Sequence, residues 1–230
     1  YLEPYLNHLS GQAHGLVYAR GPMRLGDIRR FLFFDFPRSF RRNGVFIAAA
    51  FLLFALGATV AMATVFARPE TAEYFLAAPV IEELKKGNLW MESTRAAPSE
   101  STFLMQNNIR VALNAYAGGI FFGVGSLLIL FYNGLFAFGG PLAVCFLYGL
   151  GFRLLNFVMA HGVIELTAIC IAGGAGLWLG SAILLPGRRT RREVLVERGR
   201  EAVSLIGGTA MMLVCAGVIE GFISPSQLPR

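Results

Sequence analysis

Long apolar runs separated by short polar segments dominate the chain. Runs of about 20 residues with few charges recur at positions 45–66, 111–131, 135–159, 163–185 and 202–223. An α-helix of this length crosses a hydrocarbon core of about 30 Å. A membrane β-barrel would instead show alternating segments of about ten residues. The pattern therefore predicts an all-α fold, a polytopic transmembrane helical bundle with about five spans.

The third apolar run contains two interruptions. Asn133-Gly134 and Gly139-Gly140-Pro141 both carry residues that weaken a helix. The third span could therefore begin at Pro141, after a short re-entrant segment. Either version leaves Arg153 near the same end of that span.

The N-terminal residues predict amphipathic helices that lie on the membrane. Within 25–42, apolar residues such as Ile28 and Phe31 alternate with arginines, which suits a helix in the headgroup layer. Pro37 is expected to end or bend this helix. Leucines and Tyr5 at helical spacing predict a second such helix further upstream. We therefore divide the chain into interfacial helices at 1–42 and a transmembrane bundle at 43–230.

Composition agrees with a membrane protein and argues against a nucleic-acid partner. The chain is 55% hydrophobic and 15% charged, which is too apolar for a soluble domain. Its net charge of +6 comes from arginines beside the apolar runs, where lipid headgroups attract them. The cysteines Cys145, Cys170 and Cys215 lie inside predicted spans without paired spacing, so no cofactor is expected.

The distribution of basic residues predicts the orientation. Arginines are dense before the first span and in the loop at 186–201, whereas the loop at 67–110 holds more acidic than basic residues. Basic flanks stay in the cytoplasm. We therefore expect a cytoplasmic (inner) membrane protein with its N-terminus in the cytoplasm, the 67–110 loop outside and the C-terminus extracytoplasmic.

With this threading, polar residues gather at the outer ends of the helices. A charge at mid-bilayer costs roughly 2.5 to 3.5 kcal/mol, so such residues usually have partners or a function. Two arginines and two glutamates would cancel in charge. The members of this predicted polar cluster are Asn107, Asn108, Arg110, Asn114, Arg153, His161, Glu165 and Glu220.

Three interpretations of the polar cluster follow. It could be a structural network that fixes helix register, or a site for a ligand, proton, cation or anionic headgroup. A metal held by His161, Glu165 and Glu220 is a third interpretation and would need a further ligand. The sequence holds no HExxH or GxSxG motif, so no catalytic residue is assigned and an enzyme is the minority interpretation.

Small residues mark positions where helices could approach closely. They recur in the second and fourth apolar runs, at a spacing typical of membrane helix contacts. The contacts could lie within one chain or form the seam of a homodimer. These packing positions are Gly119, Gly123, Ala172, Gly176 and Gly180.

Several motifs in one order carry a family resemblance. Asn107-Asn108-Ile109-Arg110, the stretch from His161 to Leu166, Pro186-Gly187 and the stretch from Ile219 to Pro225 together resemble the stage II sporulation protein M (SpoIIM) family of bacterial and archaeal membrane proteins. The resemblance implies a multi-span helical fold. In sporulating relatives it implies a membrane subunit that brings peptidoglycan-degrading partners together, and it implies no catalytic residues.

These observations predict a nonenzymatic scaffold, or partner-recruiting subunit, in the cell envelope. Its expected partners are the lipid bilayer and other envelope or membrane proteins. One alternative is a transporter or lipid-handling protein that uses the polar cluster for a headgroup, solute, proton or cation. A second alternative is a metal-dependent intramembrane hydrolase.

Overall fold

The computed structural model describes residues 25–90, 98–159 and 161–219, and every regular element in these ranges is helical. The helices are α1 (Leu25–Arg30), α2 (Phe36–Arg42), α3 (Gly44–Ala67), α4 (Ala78–Lys85), α5 (Pro98–Ala117), α6 (Val124–Tyr132), α7 (Gly140–Leu147), α8 (Gly151–Val158), α9 (Gly162–Leu184) and α10 (Arg191–Val218). Phe31–Asp35 and Asn133–Gly139 are π-helical, and Pro69–Tyr74 and Gly118–Ile120 are 3₁₀-helical. The predicted all-α class is confirmed.

The chain divides into two compact units between Arg38 and Ser39. In the described part of the first unit, Arg30 and Asp35 form an exposed ion pair of 3.9 Å. Pro37 does not end the helix, because α2 continues to Arg42. Pro37 lies inside a continuous helical stretch, directly after the π-helical segment Phe31–Asp35, and both features are usual sites of a helix bend.

Four helical stretches are long and apolar enough to cross a membrane. They are α3, the continuous stretch Val124–Leu147, α9 and α10. α5 runs beside them as a fifth and more polar leg. The chain is therefore a multi-pass membrane protein, and the prediction of about five spans agrees with this arrangement.

Side-chain contacts fix the relative directions of α3, α9 and α10. α3 is antiparallel to α9, because Phe46 near the start of α3 packs on Trp178 near the end of α9, with ring centroids 5.2 Å apart. α10 is antiparallel to α9 as well, since Arg198 hydrogen-bonds the Trp178 carbonyl at 3.3 Å. We call the bundle end that holds Arg42, Trp178 and Arg198 the basic end, and the opposite end the His161 end.

A tight hairpin joins α5 to α6 and interrupts the predicted second span. The chain turns at 118–123, where Gly123 has a φ of 82°, a conformation that favours glycine. A Cβ on Gly119 would lie 2.1 Å from the carbonyl oxygen of Gly176. Gly119 and Gly123 therefore bring the hairpin against α9 at Gly176 and Gly180.

The glycines of the third apolar run do not break the helix. The chain stays helical from Val124 to Leu147 and passes through the π-helical segment. A Cβ on Gly134 would lie 2.0 Å from the Phe54 carbonyl, and one on Gly139 would lie 2.4 Å from the Cα of Ala58. These glycines let α3 pack closely against the Val124–Leu147 helix. The interruption falls instead near Gly149, which has a φ of 74°.

Short helices cover the His161 end of the bundle. Pro69–Tyr74, α4 and the segment to Trp90 pack on α7 and α8 through buried side chains that include Ile81, Leu84 and Leu89. Glu83 accepts hydrogen bonds from Lys86 at 2.7 Å and Asn88 at 3.1 Å, and these bonds lower the pKa of Glu83. We call residues 69–90 the cap.

Candidate functional site

A cavity of about 230 Å³ lies at the His161 end, between the cap and the helices beneath it. We call it the Glu165 cavity. Its walls come from α3, α5, α8, α9 and the Val124–Leu147 helix. The apolar part of its lining is Phe54, Trp90, Ala137, Phe138, Pro141, Leu142, Leu154, Leu155, Val158, Leu166 and Ile169.

The two ionisable residues of the cavity sit at the start of α9. His161 precedes the first helical residue, and Glu165 lies one turn deeper, with its N–H bonded to the His161 carbonyl at 3.2 Å. Only 6% of His161 and 7% of Glu165 is exposed. The ring of Phe157 packs edge-on against His161, with centroids 6.2 Å apart. The spacing of four residues therefore places both groups on one helix face.

Asparagines complete the polar part of the cavity. Asn108 on α5 donates a hydrogen bond to Glu165. Asn107 lines the cavity and is itself exposed, so this side of the wall reaches the protein surface. Further along the same two helices, Gly176 of α9 packs closely on the backbone at the end of α5.

Two buried polar atoms of the cavity have no partner among the residues that the structure describes. They are Oε1 of Glu165 and Nδ1 of His161. A buried polar atom without a hydrogen bond costs roughly 1 to 3 kcal/mol, so such atoms call for an explanation. Both atoms belong to residues that line the same cavity, and a bound molecule could satisfy both.

The predicted arginines lie elsewhere. Arg110 is exposed on α5 and does not line the cavity. Arg153 is also exposed and donates to the Gly87 carbonyl at 3.1 Å, so it fastens α8 to the cap. The described residues therefore do not form the predicted group of neutralising charges around Glu165. Glu220 lies outside the described residues.

Asn133 is a site residue that the sequence does not predict, because Asn-Gly also indicates a helix interruption. It lines the Glu165 cavity from the π-helical segment, and its amide donates to the Ile129 carbonyl at 2.8 Å. Asn133 also lines an open groove of about 770 Å³ between α5 and α6, together with Asn114 and Tyr132. A lone polar residue inside an apolar run was the available signal.

The metal interpretation gains no further ligand from the part of the chain that the structure describes. Within it, no group of three His, Cys, Asp or Glu residues could hold an ion. Because Glu220 is not described, a site made by His161, Glu165 and Glu220 stays a prediction.

A comparison with protein families decides the classification. The family model described as stage II sporulation protein M (SpoIIM) matches residues 50–225. The chain belongs to the SpoIIM family. No curated protein and no solved structure matches the chain.

The SpoIIM match covers the helices that build the cavity. It begins inside α3, before Phe54, and includes Asn108, Asn133, His161 and Glu165. It leaves out α1 and α2. The cavity therefore belongs to the part of the chain that defines its family membership.

Proposed function

We propose that this SpoIIM-family membrane protein binds a small amphipathic molecule in the Glu165 cavity. One observation carries the proposal: Glu165 and His161 each present a polar atom that no described residue satisfies, in a cavity whose remaining described walls are mostly apolar. Ligand sites commonly combine apolar walls with a few polar groups that orient the ligand. An apolar tail would contact the walls while a polar head satisfies the two atoms.

The lining favours a head group that donates hydrogen bonds. The cavity presents a carboxylate, an imidazole and asparagine amides, and neither Lys nor Arg is among the lining residues in the described ranges. A carboxylate buried without a counter-charge is strongly unfavourable. An ammonium group would supply both the charge and the donors that Glu165 lacks. These features support a cationic or hydroxyl-bearing head and speak against an anionic headgroup in this cavity.

The cavity size limits the buried part of the ligand. At about 30 Å³ for each water-sized group, about 230 Å³ holds roughly eight non-hydrogen atoms. A short alkylamine fits this size, as does one end of a larger amphiphile. Asn133 lines both the cavity and the outer groove, which makes the α5–α6 face the route of entry that we favour.

The binding test uses octylammonium as the probe and Trp90 as the reporter. The chain has two tryptophans, so Trp178→Phe leaves Trp90, which lines the cavity, as the only indole fluorophore. In nanodiscs, octylammonium should change Trp90 fluorescence with an affinity at least tenfold higher than that of octanoate. Glu165→Gln should remove this preference, because the counter-charge is lost.

A matched control distinguishes an effect of the cavity carboxylate from a general effect of removing a negative charge. Glu82→Gln makes the same chemical change at an exposed position of the cap and should keep the octylammonium preference. Equal affinities for the amine and the carboxylate in wild type would overturn the proposal. So would an unchanged preference in Glu165→Gln.

A partner-recruiting scaffold is the second candidate function, and the cap is the observation that favours it. The cap is a folded surface outside the predicted spans, with a buried underside and an outer side on which Tyr74 is 79% exposed. Arg153 ties it to α8 through the Gly87 carbonyl. A rigid external surface of this kind suits the scaffold role that the family resemblance implies.

Site-specific photocrosslinking in cells tests the scaffold. A photoreactive residue at Tyr74 should give a discrete crosslinked product, whereas one at Val203, 67% exposed on a membrane-spanning helix, should not give that product. Glu165→Gln should leave the product unchanged if the scaffold role is independent of the cavity. Identical products from both positions would contradict the scaffold proposal.

We also infer that the protein resides in the cytoplasmic membrane with the basic end in the cytoplasm. The loop between α9 and α10 and the start of α10 carry Arg188, Arg189, Arg191 and Arg192. Such residues resist translocation. This orientation places the Glu165 cavity and the cap toward the extracytoplasmic side.

A further inference from the structure

An open groove of about 950 Å³ lies at the basic end, far along α9 from the Glu165 cavity. The end of α2 forms one side, and the first three turns of α10 form the other. We call it the basic groove. Its lining residues are Arg42, Thr190, Arg192, Glu193, Val196, Glu197, Arg200 and Glu201.

The carboxylates of the basic groove already have partners. Glu201 forms an ion pair with Arg42 through Oε1, while its buried Oε2 has no hydrogen-bond partner among the described residues. Glu197 pairs with Arg189 at 2.5 Å. Glu193 closes a capping box in which its carboxylate accepts the Thr190 N–H at 3.3 Å. Each carboxylate of the groove therefore has at least one protein donor.

Two guanidinium groups remain available. Arg192 and Arg200 are exposed, and among the described residues no acidic side chain pairs with either. With Val196 between them, they follow each other at four-residue steps and share one face of α10. Eight residues of helix separate them by about 12 Å. Val196 is 50% exposed, so the face offers two cations with an apolar contact between them.

The groove lies at the depth of lipid headgroups. α10 has 28 residues and is about 42 Å long, whereas the hydrocarbon core is about 30 Å thick. At least one end of α10 must therefore extend beyond the core, and the charged first turns are the end that favours the headgroup layer. Nearby, the Arg198 guanidinium stacks 4.3 Å from the ring centre of Trp178, and tryptophan and arginine both favour the membrane interface.

We propose that the basic groove binds the phosphate of an anionic phospholipid through Arg192 and Arg200. Guanidinium groups bind phosphate oxygens in a bidentate geometry, and a phosphate between lipid tails reaches this depth without leaving the bilayer. Val196 then contacts the first carbons of an acyl chain. This site is separate from the Glu165 cavity and independent of the function proposed for it.

The experiment compares two pairs of arginines with equal charge. Arg192→Gln with Arg200→Gln removes the groove cations, whereas Arg188→Gln with Arg191→Gln removes two exposed arginines that do not line the groove. Native mass spectrometry of the purified full chain measures how much phosphatidylglycerol and phosphatidylcholine each variant retains. Thermal unfolding verifies that both double variants fold.

Wild type should retain phosphatidylglycerol at least fivefold over phosphatidylcholine. The Arg192/Arg200 variant should lose this preference, and the Arg188/Arg191 variant should keep it. Equal losses in both variants would mean a general charge effect and would overturn the proposal. Full displacement of phosphatidylglycerol by millimolar inorganic phosphate would also overturn it, because the ligand would then be free phosphate and not lipid.

Discussion

At the scale of single residues, Gly119 and Gly176 decide how closely α5 and α9 approach. A Cβ on Gly119 would meet three backbone atoms of Gly176 within 2.7 Å, and backbone cannot move aside as a flexible side chain can. The Asn108–Glu165 hydrogen bond joins the same two helices nearer the His161 end. Glycine at position 119 therefore lets these two helices meet at the basic end.

Gly119→Ala should destabilise the protein by about 1 to 3 kcal/mol, the usual cost of overpacking. Gly199→Ala is the matched control, since nothing lies within 4 Å of a Cβ placed there. That substitution should be neutral or add up to about 1 kcal/mol of helix propensity. Chemical denaturation in detergent measures both. Equal stability of the two variants would contradict the contact between α5 and α9.

Sequence reasoning found some of the cavity residues and misplaced others. His161, Glu165 and Asn108 could be found because polar residues at helical spacing in an apolar run are uncommon. Arg110 and Arg153 were grouped with them by depth alone, and depth does not determine which way a helix faces. Asn133 was missed because Asn-Gly also indicates a turn, and only tertiary contact distinguishes the two cases.

At the scale of helices, α10 has the best-defined start in the described chain. The Thr190 side chain accepts the Glu193 N–H, and Glu193 accepts the Thr190 N–H in return. This capping box fixes where the helix begins after the loop that follows α9. It also holds Arg192 at the first turn, where the basic groove needs it.

Thr190→Ala should lower the free energy of unfolding by about 1 kcal/mol and fray the first turn of α10. Hydrogen exchange at the Glu193 amide should accelerate, because that amide loses its acceptor. Thr59→Ala provides the comparison, since Thr59 is exposed and bonds only its own helix at Ala55. If Glu193 exchanges at the wild-type rate in Thr190→Ala, the capping box does not stabilise the helix.

The boundaries of the helices were harder to predict than their existence. Apolar composition identified α3, α9 and α10 because each is a continuous run. The second and third runs were divided at the wrong glycines, since a glycine that turns the chain and one that admits a neighbour look alike in sequence. Gly123 turns the chain, whereas Gly134 admits α3. Only the position of the neighbouring helix distinguishes these two kinds of glycine.

At the scale of the whole molecule, the five legs alternate in direction. α3, the Val124–Leu147 helix and α10 run away from the basic end. α5 and α9 run toward it. The odd number of membrane crossings that the sequence predicts is therefore compatible with the packing. The side of the membrane on which each end lies depends on charge and stays a prediction.

Cysteine accessibility tests the orientation. In a Cys215→Ser background, Glu82→Cys on the cap should react with a membrane-impermeant maleimide on intact cells. Arg188→Cys should react only after the membrane is permeabilised, because basic flanks stay in the cytoplasm. Cys145 and Cys170 are buried and should contribute little background. The reverse labelling order would invert the topology.

The α5–α6 hairpin raises the question of whether α5 crosses the membrane. Its turn, residues 118–124, carries no charged or amide side chain, and Phe121 is 70% exposed. Gly123 lies against Gly180, about 6 Å of helix before the end of α9. The turn satisfies much of its own backbone, with Gly123 bonded to Gly119 at 2.9 Å and Val124 bonded to Phe121 at 2.9 Å. Such a turn tolerates hydrocarbon.

We therefore expect the turn to stay inside the membrane near the basic end, so that α5 and the Val124–Leu147 helix remain two of the five helical legs but enter and leave the membrane on one side. Phe121→Cys should resist the impermeant maleimide even after permeabilisation, while Arg188→Cys reacts fully. Denaturation in detergent should then expose the Phe121→Cys thiol and verify that it is present. Equal labelling of the two positions would make α5 a complete span. Both outcomes keep the N- and C-terminal ends of the bundle on opposite sides, because a re-entrant hairpin removes two crossings together.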